Sequence, residues 1–183
     1  MLKWIFLGLS GDEWWWMGAR GRWALIAQVR FLKVLLTGNY RRNLDDKQRL
    51  AIPKQLRDAL GFPENNTLFI APGNDRALVI YTAEVLEQIG KSLSKLSPAA
   101  RETRDFSRLF YAQAQPAEVD RQGRLRIPPE LAKLSGLLNE VVVIGVRDRI
   151  ELWGAAAWDQ FLAKTQPSYD DLAESVFRDA VTE

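Results

Sequence analysis

The sequence predicts an α+β, β-rich fold of two tandem lobes, and three observations predict it. One motif occurs twice, at 43–56 and again at 118–131, and the copies align without a gap. Each copy is followed by two short runs of β-branched and aromatic residues separated by a turn. Each pair of runs gives way to a segment with apolar residues at helical spacing. Repeats are sought before anything else, because missing one misassigns the whole fold.

Residues 43–56 read NLDDKQRLAIPKQL and residues 118–131 read EVDRQGRLRIPPEL. Asp45 aligns with Asp120, Arg49 with Arg124, Leu50 with Leu125, Ile52 with Ile127, Pro53 with Pro128 and Leu56 with Leu131. An apolar residue, an acid, three polar residues, an arginine and then alternating apolar residues form a hairpin signature. The acid suits the opening of the turn, because its carboxylate can cap backbone N–H groups one or two residues on. Gly123 stands just before the second arginine, where a three-residue hairpin loop takes a left-handed backbone. Gln48 holds that place in the first copy. Asp and Arg then stand near opposite ends of the turn, close enough to pair. An exposed pair contributes only about 0–1 kcal/mol, so its expected use is to aim the guanidinium. Pro53 and Pro128 end the second strand and open a short helix at its first position. Residues 54–60 and 129–134 fit that helix, with Gly61 and Gly136 as its stops.

Taken in order, residues 37–44 are expected as a strand and 49–52 as its hairpin partner. Residues 63–66 (PENN) form a turn. Residues 67–71 (TLFIA) and 77–81 (ALVIY) make a second hairpin over Pro72, Gly73, Asn74 and Asp75. The second lobe repeats this order with 140–145 (EVVVIG) and 149–153 (RIELW) around Arg147 and Asp148. Residues 83–96 place Val85, Leu86, Ile89, Leu93 and Leu96 at helical spacing, and 155–163 is the counterpart. Residues 98–111 have no clear equivalent after the second lobe. They read as an amphipathic helix joining the lobes, with Arg101, Arg104 and Arg108 solvated and Phe106, Leu109 and Phe110 packed. The tail after Lys164 is polar, with Leu172, Val176 and Phe177 in a short docking helix. Small lobes leave strand edges open, and two lobes in one chain can cover each other as a pseudo-dimer.

Composition narrows the chemistry. The chain has 183 residues, enough to bury one good core or two small ones. It contains no cysteine and no histidine. Disulfides, thiolate chemistry, the commonest general base and the commonest metal ligand are therefore absent. Neither a phosphate-cradling glycine loop nor metal-ligand spacing occurs. Asp45 and Asp46 sit beside arginines, which lower rather than raise a carboxyl pKa. The expectation is a protein that is not an enzyme and needs no cofactor.

Residues 1–33 stand apart from the rest. They hold five of the seven tryptophans, and five basic residues against two acidic ones. The remainder has 20 basic and 21 acidic residues, so the pI near 9.0 is no evidence for nucleic-acid binding. Asp12 and Glu13 interrupt any signal-peptide core, and Arg30 and Lys33 break a membrane span. The informative charge is local. Arg41, Arg42, Lys47, Arg49 and Lys54 gather at the first motif, and Arg121, Arg124 and Arg126 at the second.

The doubled D-x-x-x-R-L-x-I-P pattern, opened by GNYRRNLDDK at 38–47, resembles the MraZ family over residues 35–177. The resemblance implies bacterial transcriptional regulators made of two tandem AbrB/SpoVT-type repeats. Their fold is a pair of swapped-hairpin lobes forming a pseudo-dimeric barrel. It further implies a cytoplasmic, nucleoid-associated ring homo-oligomer that binds direct repeats in double-stranded DNA upstream of its own gene. Its operon in that family is the division and cell-wall cluster. The division expected on this basis is an extension at 1–33, repeat 1 at 37–84 and linking helices at 85–112. Repeat 2 follows at 113–157, then a C-terminal helix and tail at 158–183. Family members begin near Val34 or Leu35. Residues 1–33 are accordingly expected to be upstream DNA translated from an early start, with residues 13–23 a translated operator. A peptide containing Trp14 to Trp16 in the native protein contradicts that expectation.

The expected DNA-binding residues are Arg49, Lys47, Arg41, Arg42 and Asp45 in the first copy and Arg124 and Asp120 in the second. Arginine can contact guanine O6 and N7 bidentately, while neighbouring cations mainly contact phosphate. A purely structural Asp–Arg turn is the alternative for both copies. The second copy has no equivalent of the Arg41/Arg42 pair and gains Arg121. One lobe reading DNA while the other packs is compatible with that asymmetry. The competing class is a protein-binding, antitoxin-like module of the same fold. No membrane association is expected.

Overall fold

The computed structural model describes residues 15–17, 23–25, 35–61 and 67–181, without the side chains of 15–17, 23–25 and 179–181. The chain divides into two compact units, residues 1–34 and 35–183. In the first unit, β1 (Trp15–Met17) and β2 (Trp23–Leu25) pair antiparallel, Trp16 opposite Ala24. The early-start and translated-operator expectations concern residues mostly outside the described ones, as does the turn expected at 63–66.

The second unit runs β3 (Asn39–Asn43), β4 (Arg49–Ala51), α1 (Lys54–Ala59), β5 (Leu68–Pro72), β6 (Leu78–Thr82) and α2 (Ala83–Ser94). It continues through α3 (Arg101–Gln113), β7 (Gln115–Pro116), β8 (Arg124–Arg126), α4 (Pro129–Leu134), β9 (Glu140–Val146) and β10 (Arg149–Gly154). It closes with α5 (Ala155–Thr165) and α6 (Tyr169–Val181). The fold is α+β and β-rich, as the pattern predicts. Six strands form one antiparallel sheet in the order β3-β9-β10-β6-β5-β7, and β4 and β8 form a separate two-stranded ribbon. The described strands are recorded as these open sheets, not as a closed barrel.

The strand partners cross between the two halves of the chain. β3 pairs with β9 and β7 with β5, so the first strand of each half completes the sheet of the other. β6 and β10 meet at the centre, Val79 opposite Glu151, and the ribbon places Leu50 opposite Leu125. This corrects the expectation that 37–44 and 49–52 form a local hairpin. Only the single bridge Leu44–Leu50, matched by Val119–Leu125, links the strands flanking each turn. Beyond it the backbone groups of β3 are taken by β9 and those of β4 by β8. Pairing across the halves leaves fewer open edges than two separate hairpins.

Alternation along these strands gives the sheet two apolar faces. One carries Ile70, Leu78, Ile80, Val141, Val143, Ile150 and Leu152 into a core shared with Leu50, Ile52, Leu56, Leu125, Ile127 and Leu131. Both halves thus bury one another, and neither motif has a core of its own. The opposite face sends Ala71, Val79 and Tyr81 under α2 and α3, with Val85 and Phe110. It also sends Val142, Ile144 and Trp153 under α5, with Trp158 and Phe161.

Three smaller expectations are adjusted. Pro53 and Pro128 stand one residue ahead of their helices as N-caps, and Pro129 takes the first helical position. On α3 only Phe110 is buried, while Phe106 and Leu109 remain largely exposed. The tail does form α6, yet Val176 and Phe177 are 64% and 71% exposed, so this face is not docked on the chain. A helix can form on its own amphipathic pattern, but docking needs a vacant apolar surface. Here α2, α3 and α5 already cover the helix-bearing face of the sheet.

Candidate nucleic-acid interface

The β4–β8 ribbon carries the two motif turns. In the first, Gln48 N–H donates to Asp45 O at 2.9 Å and Asp45 N–H donates to Arg49 O at 3.0 Å. In the second, Gly123 N–H donates to Asp120 O at 2.8 Å and Asp120 N–H donates to Arg124 O at 2.9 Å. Asp45 Oδ1 accepts from the backbone N–H groups of Lys47 and Arg49, both at 2.9 Å. Asp120 Oδ1 accepts from Gln122 at 2.9 Å and Arg124 at 3.0 Å. The turns are also tied to each other. Ile52 N–H donates to Gly123 O at 3.2 Å, and Ile127 N–H donates to Gln48 O at 2.9 Å.

The second carboxylate oxygen of each acid holds its arginine. Arg49 Nε donates to Asp45 Oδ2 at 2.8 Å, and Arg124 Nε to Asp120 Oδ2 at 2.7 Å. The far ends of the guanidinium groups reach across the ribbon. Arg49 Nη1 lies 3.8 Å from Asp120, and Arg124 Nη1 lies 3.8 Å from Asp45. Two turns from opposite halves of the sequence thus become one four-charge cluster. The Arg49 and Arg124 side chains are 27% and 29% exposed, so each is gripped at one edge and still reaches solvent.

This geometry shifts the titration of the acids. The Arg49 side-chain hydrogen bond, helped by backbone N–H groups, holds the Asp45 carboxyl at about 2 against an ordinary 3.8. Asp120 is lowered first by the Arg124 backbone N–H and then by the Arg124 side chain. Asp45 in turn raises Arg49 further above its ordinary value. Both acids stay ionised at neutral pH and act as fixed anchors, the arrangement that aims an arginine.

The remaining basic residues fall in different places. Lys47 is exposed at the tip of the first turn, and Arg121 at the tip of the second. Arg42 sits over the Tyr40 ring at 5.9 Å and donates to the Arg41 carbonyl at 2.8 Å. Arg41, one residue earlier on β3, is held by Asp159 of α5 and by Glu140 at 3.4 Å. Alternation along β3 therefore splits the Arg41/Arg42 pair, and Arg41 is committed to an acidic pair.

The MraZ family model, described as "MraZ protein, putative antitoxin-like", matches residues 35–109 and 110–179. The chain belongs to the MraZ family. Among its MraZ relatives, the "Transcriptional regulator MraZ" of Lactobacillus helveticus (strain DPC 4571) is 41% identical over 142 residues, 78% of this chain and 96% of the relative. The proteins of the same name from Finegoldia magna and Lactobacillus gasseri are 35% and 36% identical over the same shares. The two MraZ segments divide at residues 109 and 110, within α3.

Arg57 on α1 escaped the sequence reading. It lies against the second turn, where a Cβ on Gly123 would fall 2.1 Å from its Nη1. In sequence it is one more charged residue on a short helix, and nothing local ties it to residue 123. Only the cross-pairing of the ribbon brings the two together.

Proposed function

We propose that this MraZ-family chain is a sequence-specific DNA-binding transcriptional regulator. The observation that carries the reading is the convergence of both D-x-x-x-R turns into one cluster that presents Arg49 and Arg124 side by side. Two aimed arginines flanked by Lys47 and Arg121 suit a duplex: the forks for base edges, the flanking cations for phosphate. In this reading Asp45 and Asp120 position the arginines, and Arg42 contributes to the phosphate-facing charge. Arg41 contributes only if its carboxylate partners release it. The relatives' shared name supports the regulatory part.

The exchanged first strands are consistent with two swapped-hairpin repeats, 37–84 and 113–157, joined by helices at 85–112 and followed by a tail at 158–183. Phe106 and Leu109 on α3, and Tyr169, Val176 and Phe177 on α6, leave apolar surface exposed. Such surface marks interfaces, which suits a head-to-tail ring of copies. A ring presents several arginine clusters to one duplex, so the proposed operator is a set of direct repeats upstream of its own division and cell-wall operon. The proposed location is the cytoplasm, at the nucleoid. No helix among the described residues is long and apolar enough to cross a membrane.

Binding to duplexes carrying one, two and three upstream repeats tests this. Affinity should rise by about a hundredfold or more from one repeat to three through avidity. Equal affinity for all three duplexes contradicts the multivalent reading. The antitoxin-like description of the family and the exposed face of α6 favour a protein-binding module as the second reading. A partner that co-purifies in stoichiometric amount supports it.

A further inference from the structure

The two motif turns share one backbone geometry but differ at the left-handed position, and there the difference is compensated from the other half of the chain. The first turn carries Gln48 at its left-handed position, φ 58°, and the second carries Gly123, φ 75°. At the motif offset, the residue of α4 equivalent to Arg57 is Ala132. A glycine in the turn thus goes with an arginine on the helix, and a glutamine in the turn with an alanine. The Arg57 guanidinium fills the space that a side chain at 123 would occupy, since a Cβ there would stand 2.6 Å from Cζ as well as 2.1 Å from Nη1.

No carboxylate among the described residues answers the charge of Arg57. Among the described residues its side chain makes no ion pair, and its Nε is buried without a hydrogen-bond partner. A half-buried cation without a partner is costly to the isolated protein, unlike Arg49 and Arg124, which are both anchored. Its place beside residue 123 sets it next to Arg124 and Arg121 in the chain, on the turn that otherwise has the fewer basic neighbours.

We propose that Arg57 is a phosphate-contacting residue of the second turn, delivered across the ribbon from the first repeat. The ligand is a backbone phosphate of double-stranded DNA. The proposal rests on the DNA-binding reading above and deepens it, making both turns of one chain part of the same nucleic-acid surface.

The test is a fluorescence-anisotropy titration of the full chain, comparing wild type, Arg57→Gln and Arg57→Lys over a series of salt concentrations. The probes are a duplex carrying the upstream repeats and a scrambled duplex. Arg57→Gln is expected to weaken both duplexes by a similar factor and to lower the slope of log affinity against log salt by about 0.9 per site engaged. Arg57→Lys, which keeps the charge, should retain most of that slope. The melting temperature of Arg57→Gln should not fall, because a cation whose Nε is buried without a hydrogen bond is removed. A folded Arg57→Gln protein with wild-type affinity and slope overturns the proposal. So does a loss confined to the repeat duplex, which marks a base reader. Loss of folding in Arg57→Gln, with Arg57→Met folded and binding as wild type, assigns Arg57 to packing and also overturns it. Failure of the folded wild type to bind either duplex instead overturns the DNA-binding reading itself.

Discussion

Asp45 serves the turn and the arginine with different oxygens. Oδ1 caps the turn and Oδ2 holds Arg49. The arginine's favourable contact exists only with the ionised carboxylate, so Asp45 binds its proton more weakly in the folded chain than in the unfolded one. Its contribution to stability is therefore complete above the ordinary 3.8 and is lost as pH falls through about 2. Thermal melts of wild type and Asp45→Asn should show a constant gap above roughly pH 4 that closes towards roughly pH 2. A gap that persists unchanged into that acid range contradicts the assignment. The role of this residue was legible in the sequence, because an Asx turn is a local device and both of its oxygens act close by along the chain. What the sequence did not disclose is the reach of each arginine toward the other turn's aspartate, since that contact depends on a pairing between the two halves of the chain.

At the scale of elements, the turns differ in how they accommodate a left-handed residue. Gly123 meets two constraints: a positive φ, and Arg57 in the place of its side chain. Gly123→Ala should destabilise by about 1–3 kcal/mol, through strain and displacement of the arginine. Gln48→Gly relieves strain in the first turn at some cost in chain entropy. It should lie between neutral and about 1 kcal/mol stabilising. Chemical denaturation of both variants checks the asymmetry, and equal costs at the two positions contradict it. The same scale shows why the local hairpin was the natural but mistaken reading of residues 37–52. A turn signature specifies that the chain reverses; it does not specify which strand satisfies the backbone beyond the reversal. Here burial accompanies the cross-pairing, since Leu50 and Leu125 face each other across β4 and β8 and both are fully buried. The helices were more legible, since α2 follows from its own apolar spacing and α4 from its proline start and glycine stop. Docking of α6 was not, because an amphipathic pattern cannot name its partner.

At the scale of the whole molecule, the repeat is the feature that organises the rest. Each half lends a strand to the other, the two motifs share one core, and the two turns meet on one ribbon. Cutting that exchange should therefore unfold both halves together. Leu125→Ala, although in the second repeat, should cost about 2–5 kcal/mol and lower a single cooperative transition. Two separated transitions contradict a shared core. The exposed apolar faces of α3 and α6 support the proposed homo-oligomer, whose size sedimentation or light scattering would report.

The most direct measurement of the central claim, that the paired turns bind DNA, compares wild type with Arg49→Ala. Each is titrated against the duplex upstream of the gene while folding and oligomeric size are monitored. The account predicts salt-sensitive, sequence-preferring binding by wild type, and loss of that preference in an Arg49→Ala protein that keeps its fold and size. An Arg49→Ala protein that binds as tightly and as selectively as wild type contradicts it. Arg49 and Asp45 are then a turn and nothing more.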